Sequence, residues 1–249
     1  MQAVSRLYAI SKRNVILRYK NSIAGFFWGF IKPLIYLLIF IVIFSSQFTS
    51  MNNYVLFATS GLIVWFFFSN VTSQSVNNII SSTGLIKSIH LPVIFFPLAE
   101  LLSELFNFSL TLLVFFIVMY WFGMSYNWSL LLVLPAIFLL GIFSFGFMLV
   151  LSSINVFFRD AGILWNTIQP ALFYMTPIAY PENMIPAKFS FIIHANPVYY
   201  FIRLFRSVLF EHICPTTELW LLCCLLSLFL FLFGWFVFNR LKNQFIAAI

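Results

Sequence analysis

Apolar residues run along this chain in long stretches broken by short polar or charged punctuation, and the length of each stretch predicts its element. Residues 4–20 read as one helix with two faces. Val4, Tyr8, Val15 and Tyr19 fall on one side at about 100° per residue. Arg6, Arg13 and Lys20 recur every seven residues on the other side, with Lys12 and Arg18 at the flanks. A helix of this pattern lies in the membrane interface, drawn to anionic lipid; it is either a topology anchor or a collar at the mouth of a pathway. Residues 21–29 follow, with Gly25 and Gly29 in GxxxG spacing. Lys32-Pro33 marks membrane entry, since proline is harmless early in a helix. The first span is then 33–48, short against the roughly 20 residues a bilayer core needs, with 26–31 adding depth.

Residues 45–53 form a short polar loop, 54–71 the second span, and 72–82 a polar tail to it. Residues 84–92 make a compact, mildly amphipathic hairpin. The third and fourth spans, 91–122 and 128–158, exceed a bilayer's thickness and should tilt or project from it. Then comes a stretch unlike the others. Residues 161–180 are mostly apolar yet carry Asn166, Gln169, Pro170, Thr176 and Pro177, and 181–197 are too broken to span and too apolar for a solvated loop. Polar groups and prolines are tolerated in lipid only where protein or water satisfies the freed backbone. Residues 161–180 are therefore the fifth span and a candidate pathway wall. The last span, 219–238, is apolar nearly throughout, is expected to face lipid, and ends at Arg240 and Lys242.

Composition narrows the class. The chain is 63% hydrophobic and 8% charged, where a soluble domain carries about 25% charged residues. It reads as an all-α integral membrane protein of six transmembrane helices, one membrane unit without repeats. The net charge of +7 does not indicate nucleic acid, because the basic residues cluster at the edges of apolar runs. With the N-terminus inside, Arg6, Lys12, Arg13, Arg18, Lys20, Lys32, Lys87, Arg159, Arg240 and Lys242 fall in the cytoplasm. Only Lys188, Arg203 and Arg206 fall outside, which places both termini in the cytoplasm. Cys214, Cys223 and Cys224 have no metal-type spacing, and no cleavable signal is evident.

Enzyme chemistry finds no foothold. Gly141 and Gly146 have phosphate-loop spacing, but Phe147 stands where lysine must be, so no ATP is bound in that way. No metal, cofactor or catalytic residue is nominated, and no Gly-x-Ser-x-Gly elbow occurs. The candidate structural or intramembrane charges are Glu100, Glu104, Arg159 and Asp160. Glu100 and Glu104 lie one helical turn apart on one face and must meet protein or water. They read either as carboxylates held by serines or basic groups, or as a proton relay. Trp165, Asn166, Gln169, Phe173, Thr176 and Tyr180 are the candidate lining. Aromatic faces with polar tips suit a ligand apolar on one side and hydroxylated on the other, such as a sugar ring. Equally, these groups fit mutual satisfaction between helices.

At these residues the chain resembles the membrane subunits of type-2 ABC exporters for O-antigen, capsular polysaccharide and teichoic acid, over nearly its full length. Arg18-Tyr19-Lys20-Asn21-Ser22, Gly25, Trp28 and Lys32-Pro33 resemble the family's entry segment. Ile86-Lys87 through Leu91-Pro92 and Pro97 are similar to its cytoplasmic hairpin. Phe158-Arg159-Asp160, Gln169, Thr176-Pro177-Ile178-Ala179-Tyr180-Pro181 and Asn196-Pro197 resemble its most distinctive block. The hairpin departs from relatives in reading His90-Leu91-Pro92, where an aromatic often precedes the proline.

The resemblance implies a homodimer around a channel in the bacterial inner membrane, docked to two copies of a separate ATPase that carries ATP and Mg. It implies an interfacial segment over 1–30, spans one to five over 31–180, short re-entrant periplasmic gate helices over 181–217, and span six with a cytoplasmic tail over 218–249. Gly84, Leu85, Ile86, Lys87 and His90 would form a coupling helix on the ATPase. Arg18, Tyr19, Lys20 and Lys32 would stand at the cytoplasmic entry, spans one and five would line the channel, with Tyr36 contributed by span one, and a lipid-linked polysaccharide would be the substrate. An ABC exporter of a drug or small lipid shares the six-span plan. A membrane-embedded glycan-modifying enzyme would need converging His, Asp or Glu groups, which the sequence lacks.

Overall fold

The computed structural model describes residues 2–19, 31, 34–36, 38–39, 42–43, 53–88, 91–124 and 126–248, and among these it is helical, with no strand. Most of the expected first span, with Gly25 and Gly29, lies outside the described residues; the described positions within 31–43 are helical. The elements are α1 (Gln2–Tyr19), α2 (Tyr54–Ser81), α3 (Thr83–Ser88) and α4 (Phe95–Trp121). A 3-10 turn (Trp128–Leu132) leads into α5 (Val133–Phe157), followed by α6 (Asp160–Met175), α7 (Ser190–Ala195), α8 (Pro197–Leu209) and α9 (Thr217–Ala248). Four described helices are long and apolar enough to cross a bilayer: α2, α4, α5 with its leading turn, and α9.

The central helix is α2, which packs against α4, α5, α6 and α8. The expected polar tail is not a tail: Tyr54–Ser81 is one continuous helix with Thr72, Ser75 and Asn78 buried. Its short hydroxyls make this possible by turning back on their own helix, Ser60 Oγ to Phe57 O at 2.7 Å and Thr72 Oγ1 to Phe68 O at 2.8 Å. A hydroxyl so bonded enters an apolar interior without an unpaired donor.

Helix α9 is mostly exposed, as expected of a lipid-facing span, yet it shares with α5 the most extensive helix pairing in the fold. Its buried stripe, Cys223, Ser227, Gly234, Phe238 and Phe245, recurs at intervals of four and seven, the spacing of a coiled-coil seam. The two backbones meet at Gly146 and Gly234. A Cβ on Gly146 would lie 2.5 Å from the Leu230 carbonyl, and one on Gly234 would overlap the Gly146 carbonyl oxygen. Small residues permit such close approach where no hydrophobic force drives helices together.

The fifth helix is shorter than its apolar run. The expected span 161–180 ends at Met175, leaving 16 residues, about 24 Å at 1.5 Å per residue. Pro177 is the reason: a residue before proline is pushed out of the helical region, and Thr176 sits at φ −99° and ψ 132°. Thr176 and Tyr180 are therefore off the helix, and no helical face carries them with Trp165 and Gln169.

Asn196-Pro197 also has a local cause. Pro197 opens α8, and the Asn196 side chain caps it by accepting from Val198 N at 3.1 Å. This 13-residue helix is buried on nearly every side, with Val198, Phe201, Ile202, Leu204, Phe205, Val208 and Leu209 at 2% exposure or less. It inserts among α2, α5 and α9. Side-chain bonds define the two ends of the bundle. Tyr54 and Ala179 meet at one, with Asn53 and Met124; α1, α3 and the α5–α6 turn lie at the other.

Candidate functional site

Helix α6 presents two faces. Inward, Trp165 is buried against Phe147 and Phe68, with ring centroids 4.8 and 6.1 Å away. One turn on, Gln169 is held entirely by α2. Its Nε2 donates to Ser69 O at 2.9 Å and Thr72 Oγ1 at 3.2 Å, and its Oε1 accepts from Ser73 Oγ at 2.9 Å. The chain carries Ser69, Thr72 and Ser73 on one side of α2 to meet this one amide.

Beside Gln169 opens a cleft of about 230 Å³ walled by Tyr36, Trp65, Phe66, Ser69, Pro170 and Phe173. Tyr36 stands edge-on to Phe66 at 5.1 Å and to Phe173 at 6.3 Å, and Trp65 lies 5.5 Å from Phe173. Tyr36, Gln169 and Phe173 thus converge on one aromatic, partly polar surface. The outward face of α6 is open and largely apolar, with Ile163, Leu164 and Tyr174 exposed alongside Asn166 and Thr167.

Thr176 and Tyr180 belong instead to a strap at the α8 end of the bundle. Thr176, fully buried, accepts from Asn196 Nδ2 at 2.7 Å. Arg206 Nη2 donates to Pro177 O at 3.1 Å and Ile178 O at 2.8 Å, and Tyr54 O–H donates to Ala179 O at 2.8 Å. The buried Arg206 guanidinium also lies 3.8 Å from the centroid of Phe57, a cation–π contact strengthened by desolvation. It reaches the strap because residue 61 is glycine: a Cβ there would stand 3.1 Å from both Nη2 and Ile178 O. Tyr180 closes the strap by donating to Tyr174 O at 2.8 Å, and burial raises its phenol above the ordinary pKa.

At the opposite end, Asn155 joins three helices. Its Nδ2 donates to Val76 O at 2.6 Å and its Oδ1 accepts from Gly162 N at 3.0 Å. Asn166 lies exposed near it, in a second cleft shared with Arg159. Arg159 and Asp160 are exposed at the α5–α6 turn rather than embedded; Asp160 begins α6, where a carboxylate complements the helix dipole. Glu100 and Glu104 are buried on α4. Glu100 accepts from Asn14 Nδ2 at 2.8 Å, and Ser103 Oγ donates to Ser11 O at 3.1 Å. The N-terminal helix therefore docks on α4 through a polar seam and turns Val4 and Tyr8 outward.

In α3, Ile86 is the buried anchor, while Gly84 and Lys87 are exposed and Leu85 is half-buried. His90, Lys20 and Lys32 lie outside the described residues. Arg18 and Tyr19 end α1, their side chains likewise outside the description. Among the described residues no group of His, Cys, Asp or Glu converges as a metal site.

Sequence reading passed over Asn14 and Asn155, and counted Arg206 only as an outer-side charge. Asn155 and Arg206 were nonetheless visible as polar residues in largely apolar runs, the signal that marks a paired group in a membrane helix, whereas Asn14 follows Lys12 and Arg13 and carried no such signal.

The comparisons with known proteins agree over almost the whole chain. The family model described as ABC-2 type transporter matches residues 5–210. An O-antigen export system permease protein RfbA of Klebsiella pneumoniae is 31% identical, covering 96% of this chain and 93% of its own length. The RfbA of Myxococcus xanthus is 24% identical over 98% of this chain and 95% of its own length. The capsule polysaccharide export inner-membrane protein CtrC of Neisseria meningitidis is 23% identical over 94% and 90%. With the Tyr36–Gln169 cleft and the proline-ended α6 in place, these matches close the argument: the chain belongs to the ABC-2 type transporter family.

Proposed function

We propose that this chain is the channel-forming permease subunit of an ATP-driven exporter that moves lipid-linked, O-antigen-type polysaccharide out across the bacterial inner membrane. The observation that carries the reading is the end-to-end match to permeases named for O-antigen and capsule export. The physics agrees. Each sugar hydroxyl stripped of water without a partner costs roughly 2–7 kcal/mol, so a glycan needs a wet duct whose aromatic faces hold it by many weak contacts. Tyr36, Phe66 and Phe173 beside Gln169 have that chemistry.

In this reading six spans are completed by the segment around Tyr36 and by α6, and two copies pair along the open face of α6 around the channel. Both termini and α3 face the cytoplasm, where α3 seats on a separate ATPase that binds ATP and Mg. Arg18, Lys20 and Lys32 receive the pyrophosphate of the lipid carrier, and 181–211 gate the outer exit. The chain itself performs no covalent chemistry. Deleting it should leave finished polymer inside the cell and none on the surface, read by surface immunolabelling against whole-cell glycan. Unchanged surface glycan would overturn the proposal.

A further inference from the structure

A larger cleft, about 600 Å³, opens at the α8 end of the bundle, away from α6. Its polar wall is Glu182, Arg203, Arg206, Glu211 and Glu218, and Phe57 and Tyr200 contribute rings. Acceptors and donors are interleaved here: Tyr199 O–H donates to Glu182 Oε2 at 2.9 Å and accepts from Arg203 Nη1 at 3.4 Å. Arg206 is 5% exposed, and its buried Nε–H has no acceptor among the described residues.

We infer that this cleft is a second saccharide site, holding a sugar unit of the emerging glycan at the outer end of the subunit; the inference rests on the export reading. Three carboxylates and two guanidiniums suit vicinal hydroxyls, which both donate and accept, better than they suit an ion of either sign. Rings and apolar groups serve the C–H face of a pyranose. The site stands apart from the Tyr36–Gln169 cleft, so it retains a sugar after passage and disfavours backsliding.

Cys214 lines the cleft and is exposed, whereas Cys223 is buried and Cys224, though exposed, does not line it. This makes Cys214 a reporter for labelling by a membrane-impermeant maleimide in spheroplasts expressing the full exporter, with Cys214→Ser as the blank. The probe is an oligosaccharide of one to three repeat units from the strain's own surface glycan. At about four times its midpoint concentration it should slow labelling about fivefold by mass action. Arg203 and Glu218 are exposed, so Arg203→Gln and Glu218→Gln leave the fold intact. Each should raise the midpoint about tenfold, the loss of a charge-assisted hydrogen bond.

Labelling indifferent to the saccharide, protection in either variant equal to that of the unsubstituted protein, protection by calcium alone, or labelling only from the cytoplasmic side would each overturn the site. If export depends on the chain but the saccharide gives no protection, the cleft assignment fails alone. If glycan reaches the surface without the chain, the export reading fails instead.

Discussion

Helices α2 and α9 are both long enough to span, but they are built in opposite senses. The least apolar of the four spans, α2, has 78% of its central window buried, while α9, the most apolar, has only 22%. In water the order would be reversed. Lipid tails are as apolar as leucine, so apolar surface gains nothing by turning inward. Polar groups do gain, because only protein can satisfy them. Thr72 and Ser73, with the Ser69 carbonyl, thus hold α2 at the centre by meeting Gln169 of α6. Helix α9 is held by its long seam on α5, where the backbones close at one glycine pair and Ser227 Oγ donates to Leu139 O at 2.9 Å.

The contrast can be broken most severely at that pair. Gly234→Leu should cost about 3 kcal/mol or more, since the seam has no room for a side chain. Detergent-titrated unfolding should show the loss of a cooperative transition, and a wild-type midpoint would refute a glycine-held α9. Next, Arg206→Leu leaves the Pro177 and Ile178 carbonyls without their donor, at about 2–3 kcal/mol. The same titration should register it, together with faster proteolysis at the strap.

A smaller effect is expected from Gln169→Leu, which removes three interhelical bonds from α2 to α6. Interhelical polar pairs in membranes average about 0.6 kcal/mol with a maximum near 1.7. The midpoint should fall slightly while glycan export falls more, if the amide also serves the cleft. Least of all, Leu225→Ala on the exposed face of α9 should move stability by no more than about 0.5 kcal/mol. A shift comparable to that of Arg206→Leu would show this face to be buried in the assembled protein.

Much of the architecture was legible in the residues. The span boundaries at 54, 122 and 158 match helix ends within a residue or so because run length in lipid is dictated by bilayer thickness. The N-terminal helix also followed, but the break after Met175, which Pro177 forces on the residue before it, did not. Extending the fifth helix to Tyr180 failed for the same local reason, read too late in the run. Grouping Thr176 and Tyr180 with Gln169 failed with it.

Run lengths and basic edges therefore determined that this chain is a helical membrane protein, and where most of its spans begin. Tertiary structure decided which helix is central, that α1 docks on Glu100 through Asn14, and that Arg206 pins the strap. The partners in question stand 86, 100 and 125 residues apart for Asn14–Glu100, Ser69–Gln169 and Tyr54–Ala179. Hydropathy is indifferent to which apolar face meets which in lipid, so only the closing of these distant hydrogen bonds selects one arrangement.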